Sequence, residues 1–272
     1  MLYAAGMNLL DADTLSQFQS DGAVVLRGVL NTMQLAQLEI GIEENLGSLS
    51  PLAITASEPN DPGHFVEDFC TWKNNDHYAQ ILKASALPWI AKELMQSQSV
   101  RLYHDHLLVK ESGTRAITPW HQDQPYYNVS GRQNVSFWIP VDPVPLESSL
   151  RLIAGSHAGP WYMPRTFRDA QAKWFPEGSL QELPDIEAHP EKYKQLAWAL
   201  QPGDCVAFHM LTLHAARGTP QGARRRVFSA RYIGDDARHA IRAWRTSPPF
   251  EGLADRLPDG AEMHDDLFPR LI

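Results

Sequence analysis

Between residue 99 and about residue 235 the chain is cut into short apolar runs by turn residues at close intervals, and this rhythm restricts the fold more than any other feature. Val135–Val141, Leu150–Ala154, Ala197–Leu200, Cys205–His209 and Arg226–Ile233 are strand-like runs. Gly131, Gly155-Ser156, Pro202-Gly203-Asp204 and Gln221-Gly222 separate them with residues that favour turns. Such runs are too short to form packed helices, and their spacing predicts a jelly roll or barrel. The stretch Val100–Tyr103 leading to Leu107–Val109 reads as the first strand of this region. Gly159–Glu191 breaks the rhythm with Pro and aromatic residues and reads as an insertion of about 159–191 over one barrel mouth.

The first 98 residues read differently. Asp13 is a plausible cap for a short helix through Leu15 and Phe18, Gly22 ends it, and Ala23–Leu26 is strand-like. Asn31–Asn45 places Leu35, Leu38 and Ile42 on one helical stripe that packs outside a sheet. Pro51–Asn75 is turn-rich and predicts a long, lid-like loop, and helical spacing returns over His77–Gln96 with a break at Pro88. The tail after Pro248 is polar and reads as peripheral. With no repeat in view, the expectation is one mainly β domain over 1–272, with N-terminal helices to about 98 and a jelly-roll core of about 99–235.

Charge narrows the function. A formal charge of −8 argues against a nucleic-acid partner, which calls for a basic face, and favours a small-molecule substrate. Only Cys70 and Cys205 occur, too few for a disulfide scaffold, and no window resembles an export signal or a membrane span, so a reducing cytoplasm is expected.

Trp120-His121-Gln122-Asp123 is the sharpest local signal. On a strand, residues two apart point to the same face, so His121 and Asp123 can share one metal. One more histidine completes a set of two imidazoles and one carboxylate, which leaves three positions open on iron(II). Those positions suit the keto and carboxylate oxygens of 2-oxoglutarate, plus dioxygen. His214, after the Gly203-Asp204 turn and the following strand, is the better partner, and His209 is the competitor.

Several blocks together resemble the phytanoyl-CoA dioxygenase family of 2-oxoglutarate-dependent oxygenases: Phe18–Gly28, Trp120–Asp123, Leu150–His157, and Gly203-Asp204 leading to His214. The resemblance implies a double-stranded β-helix, a cupin-like jelly roll, with iron ligands at His121, Asp123 and His214. Where the family has a glycine before the Leu-Arg block, this chain has Ser148 or Ser149. The family also places an arginine about eleven residues after the second histidine, to pair with the far carboxylate of 2-oxoglutarate. Counting from His214 gives Arg225, within the run Arg224-Arg225-Arg226. Strand alternation groups Arg225 with Val227, Ser229 and Arg231, and turns Arg224 and Arg226 the other way. Arg231 is the fallback, with an ion pair to Asp235 or Asp236 as its structural alternative.

By the same resemblance Trp138 packs beside the co-substrate and His106 faces the substrate, while Tyr126, Tyr127, Trp161 and Arg165 are candidates for the pocket wall. The expected activity is hydroxylation of an unactivated C–H bond with release of succinate and carbon dioxide. Asp123 favours that outcome, because halogenating relatives lack the carboxylate. A CoA thioester would need a basic landing site, for which Arg165, Arg168 and Lys173 are local candidates; the acidic balance favours a small free metabolite. The alternatives are a cupin-like isomerase or hydrolase using its metal as a Lewis acid, and a barrel that binds a small ligand without turnover.

Overall fold

The computed structural model describes residues 9–58, 60–163 and 180–272. Helix α1 (Ala12–Asp21) is capped by Asp11, whose carboxylate accepts from Thr14 N at 2.7 Å; Asp13, the expected cap, lies in the first turn. Gly22 ends α1 in the left-handed region at φ 75° and turns the chain into strand β1 (Ala23–Leu26). A Cβ at Gly22 would stand 2.3 Å from His157 Nδ1 and 2.7 Å from Thr212 Oγ1, so space as well as φ demands glycine. Helix α2 (Thr32–Gly47) starts with a reciprocal cap between Asn31 and Gln34.

The stretch expected to be a loop contains two strands, β2 (Ile54–Thr55) and β3 (Phe65–Phe69). Sequence reading misses β3 because Glu67 and Asp68 sit in its centre. Both are buried, and Asp68 accepts hydrogen bonds from Asn45, from Ser50 and from Phe69 N. Helices α3 (Asp76–Ala84) and α4 (Leu87–Met95) divide at Ser85-Ala86, which leaves Pro88 in the first turn of α4, where its missing N–H costs nothing.

Strand β4 (Arg101–Lys110) runs continuously through the polar His104-Asp105-His106 between its two apolar stretches. Then come β5 (Thr118–His121), β6 (Val129–Ser130), β7 (Asn134–Pro140), β8 (Leu150–Ile153), β9 (Gln195–Leu196), β10 (Cys205–Phe208), β11 (His214–Ala216), β12 (Arg225–Ile233) and β13 (Arg238–His239). Ala197–Leu200 is not a strand; the pairing there is β9 plus a single bridge from Leu200 to Val144.

Among the described residues the strands form a larger sheet ordered β1-β10-β7-β12-β4-β3-β2, a smaller one ordered β5-β11-β8-β9 and a two-stranded β13-β6 pair, all antiparallel. This is the sheet-rich jelly roll expected. One face of the larger sheet packs Phe137, Phe228, Ala230 and Tyr232 against helix residues such as Ile42, Ile81 and Leu94. Its other face packs Trp138, Val206, Phe208 and Val227 against Leu150, Leu152 and Ala216 of the smaller sheet. Both faces are covered, so β7 is buried at every position, and each large buried apolar side chain contributes roughly 1.5–3 kcal/mol. No described helix is long and apolar enough to cross a membrane.

The tail is not peripheral. Leu253, Leu257, Met263 and Phe268 are buried in a cluster with Tyr103 and Tyr127, and Leu102 N donates to Pro269 O at 3.1 Å. Its polar residues hide this in sequence, because the apolar ones follow neither a helical nor a strand period.

Candidate metal centre and its cavity

His121 closes β5 and His214 opens β11, and the two are direct partners across that pairing, with ring centroids 4.1 Å apart. Asp123 is not on the strand. After His121 the chain turns into a 3-10 helix (Gln124–Tyr126), and Asp123 has helical angles, φ −74° and ψ −46°. The turn is held by Met210 O, which accepts from Asp123 N at 2.8 Å and Gln124 N at 2.9 Å. The expected convergence is therefore real but has another cause than strand alternation. One ligand atom from each of His121, Asp123 and His214 lies within 4.8 Å of the others, and all three residues are buried.

Hydrogen bonds set the direction of each group. His121 Nδ1 donates to Pro119 O at 2.8 Å, and His214 Nδ1 donates to Thr212 O at 2.9 Å. This tautomer keeps the proton off each Nε2, and each Nε2 lies 3.6 Å from Asp123 Oδ1. Burial, with His121 beside it, pushes the His214 imidazole down to about 3, so it is neutral at physiological pH. The support reaches α1: Gly22 O accepts from Thr212 Oγ1 at 2.8 Å, fixing the residue whose carbonyl orients His214.

The other Asp123 oxygen, Oδ2, is taken by Arg231, at 3.3 Å from Nε and 3.2 Å from Nη2, and by Ser136 Oγ at 3.3 Å. Burial works against ionisation of Asp123, but Arg231 and the two imidazoles outweigh it and hold the carboxyl well below its usual range. Arg231 thus supports the cluster. Its expected alternative partners are engaged elsewhere: Asp235 accepts from Ser97, Gln98 and Ser99, and Asp236 from Arg132 and Gln133. Nothing local in sequence reveals the Arg231–Asp123 pair, although alternation along β12 does place Arg231 on the inner face.

His209 faces away from the cluster. Its Nε2 donates to Arg132 O at 2.9 Å and its Nδ1 accepts from Leu211 N at 3.0 Å, so both ring nitrogens are satisfied.

The cluster opens on a cavity of about 370 Å³. Arg225, Val227, Ser229 and Arg231 all line it, as alternation along β12 predicts. Arg224 and Arg226 point outward, where they form ion pairs with Glu43 of α2, with Glu111 and with Asp142. Arg225 is 5% exposed and donates to the carbonyls of Ser148 and Arg217. No described carboxylate lies within 4 Å of it, and burial pushes its guanidinium down to about 10. Trp138 lies alongside, its ring 5.7 Å from the guanidinium carbon. Lys110, paired with Arg225 across β4–β12, also lines the cavity and was not anticipated; burial and Arg225 hold it well below its usual range. A buried guanidinium without an anion is a seat for a carboxylate.

His106, Tyr126 and Tyr127 line the same cavity. Trp161 is not among its described lining residues and instead lies 5.0 Å from the Arg242 guanidinium carbon. Arg165, Arg168 and Lys173 fall outside the described residues, as does the 164–179 part of the expected insertion.

The fold is found in solved structures of known proteins. The carbocyclase SnoK from nogalamycin biosynthesis, described as non-haem and alpha-ketoglutarate dependent, superposes with a TM-score of 0.74 at 20% identity, covering 97% of each chain. The epimerase SnoN in complex with Fe3+, alpha ketoglutarate and nogalamycin RO gives 0.74 at 22% identity, over 96% of this chain and 98% of that one. EctD from S. alaskensis with 2-oxoglutarate and 5-hydroxyectoine gives 0.70 at 17% identity, over 96% and 88%. At such identities the likeness concerns the fold. No curated protein matches the chain. The family model for phytanoyl-CoA dioxygenase (PhyH) matches residues 18–227, a span that holds His121, Asp123, His214 and Arg225, and the chain belongs to that family.

Proposed function

We propose that this protein is an iron(II)- and 2-oxoglutarate-dependent dioxygenase that hydroxylates an unactivated C–H bond of a small metabolite. The observation that carries the reading is the joint presence, on one cavity, of the His121-Asp123-His214 cluster and the anion-free Arg225 guanidinium. A Lewis-acid hydrolase or isomerase has a use for the first and none for the second.

The donor set fits iron(II): two neutral imidazoles and one carboxylate, with room left for co-substrate and dioxygen. Iron(II), when bound with 2-oxoglutarate and dioxygen, supplies an oxidation in which one oxygen atom enters a substrate C–H bond and the other enters succinate as carbon dioxide leaves. The protein's part is orientation. Pro119 O and Thr212 O aim the two Nε2 atoms, while Arg231 and Ser136 occupy Asp123 Oδ2 and leave Oδ1 toward the metal position. Arg225 receives the far carboxylate of 2-oxoglutarate. Phe208, Leu150, Val227 and Trp138 line that part of the cavity with apolar surface, which excludes water from the reacting centre.

The similar structures include a carbocyclase and an epimerase, so one fold hosts several outcomes. Hydroxylation is our reading because the carboxylate ligand is present at Asp123. The test is succinate formation across a metabolite library, with and without CoA thioesters. Succinate that requires iron(II), dioxygen and 2-oxoglutarate, together with a product heavier by one oxygen, is the expected result. Product formation without succinate would support the Lewis-acid alternative.

A further inference from the structure

One wall of the cavity carries charge that neither the metal cluster nor Arg225 uses. Glu67 of β3 and His106 of β4 both line it, 3% and 7% exposed, with His106 Nε2 3.0 Å from Glu67 Oε2. His106 Nδ1 lies 3.4 Å from Arg231 Nη2. A guanidinium can only donate, so Nδ1 is the acceptor and the ring proton sits on Nε2, donated to Glu67. Burial, reinforced by Arg231, outweighs Glu67 and holds His106 below the usual imidazole range, so the ring brings no positive charge to its partner.

Lys110 acts on Glu67 only at a distance. Among the described residues no lysine or arginine lies within 4 Å of it, and Arg231 is already engaged with Asp123. Lys110, the other cation nearby, donates to Ala116 O, Arg217 O and Thr118 Oγ1. His106 occupies one oxygen of Glu67, which lines the cavity, and the other, Oε1, has no donor among the described residues. A buried carboxylate without a cation in contact is costly, a cost removed by a charged donor arriving in the cavity.

The surroundings favour the same occupant. Phe65, Phe69, Tyr126 and Tyr127 line the cavity too, with Phe69 stacked on His106 at 4.1 Å. Aromatic faces attract cations and gain little from neutral alcohols. Glu67 pairs with Leu108, and Leu108 with Val227, so Glu67 lies two strands, or about 10 Å, to the side of the line from Arg231 to Arg225 along β12. A ligand held there stands beside a co-substrate seated on Arg225.

We infer that Glu67, oriented by His106, is the substrate-recognition group of this cavity and that the substrate carries a protonated primary or secondary amine. The inference rests on the dioxygenase reading of the same site. Its test is equilibrium binding, read by ligand-detected NMR on protein loaded with Zn(II) and 2-oxoglutarate, which cannot turn over. The probes are cyclohexylamine, cationic at neutral pH, and its neutral counterpart cyclohexanol. The wild-type protein should bind the amine at least tenfold more tightly, and Glu67→Gln should bring the two to parity by weakening the amine alone. Intact cyclohexanol binding shows that the variant is folded. Equal affinities in the wild type, no amine binding at millimolar concentration, or a preference that survives Glu67→Gln would each overturn the inference. Binding of 2-oxoglutarate, followed in the same samples, separates the two readings: its failure alongside an intact amine preference removes the dioxygenase and keeps the cation site.

Discussion

Arg225 and Arg231 stand on the same face of the same strand, both about 95% buried, yet their surroundings differ in one respect. Arg231 is matched to Asp123, whereas among the described residues Arg225 donates only to backbone carbonyls and lies beside an aromatic ring. Burying a guanidinium is costly in either place. At Arg231 the protein itself offsets the cost and gains a fixed carboxylate. At Arg225, on the proposed reading, the offset is left to the carboxylate of 2-oxoglutarate.

Substitutions along β12 and at its partner can break this contrast. Asp123→Ala has the largest expected effect: it removes a proposed ligand and strands Arg231, so succinate formation should vanish and the metal-free protein should also lose stability. Retained turnover would remove Asp123 from the mechanism. Arg231→Met leaves the Asp123 carboxylate buried without its cation and should destabilise the metal-free protein by about 3–5 kcal/mol in denaturant titrations. Arg225→Met should do the reverse. Removing an unpaired buried cation should leave the metal-free protein unchanged or slightly more stable, while 2-oxoglutarate binding weakens by about 2–5 kcal/mol, read as the dissociation constant. Equal destabilisation by the two methionine variants would show that the arginines are alike after all.

The smallest effect concerns acid. Burial, with His157 beside it, pushes His209 down to about 3 from its ordinary 6.5, so below 6.5 the unfolded chain takes up a proton that the folded protein refuses. The stability tied to this residue is complete above 6.5 and drains as pH falls toward 3. Melting temperatures of Arg225→Met should follow the wild-type pH profile in this window, since neither arginine titrates there, whereas His209→Gln should make it shallower, with His214 keeping part of the slope.

Much of this was legible in the sequence, and the omissions share a cause. Periodicity finds elements whose apolar residues repeat, so β1, β7, β10 and most of β12 could be read, and alternation alone separated Arg225 from its two neighbours. Strand β3 and the centre of β4 escaped, because Glu67, Asp68, His104, Asp105 and His106 put polar groups where a core strand normally has none. Most of them find partners distant in sequence, Glu67 in His106, Asp68 in Asn45 and Asp105 in Thr71, which one-dimensional patterning does not record. The Arg231–Asp123 pair and the packed tail are equally non-local. The candidate site was visible where it is a motif and hidden where it is a network.

His121 and His214 meet only because β5 and β11 pair, and the chain between them must first lay down strands in both sheets. Contacts between positions so distant in sequence close at a large cost in loop entropy and belong to the later part of folding. The unfolded chain therefore contains no preassembled ligand set, and a metal ion has nothing to nucleate. It acts afterwards as a lock: by mass action it favours the finished arrangement, slowing unfolding in proportion to occupancy while leaving the rate of refolding nearly untouched.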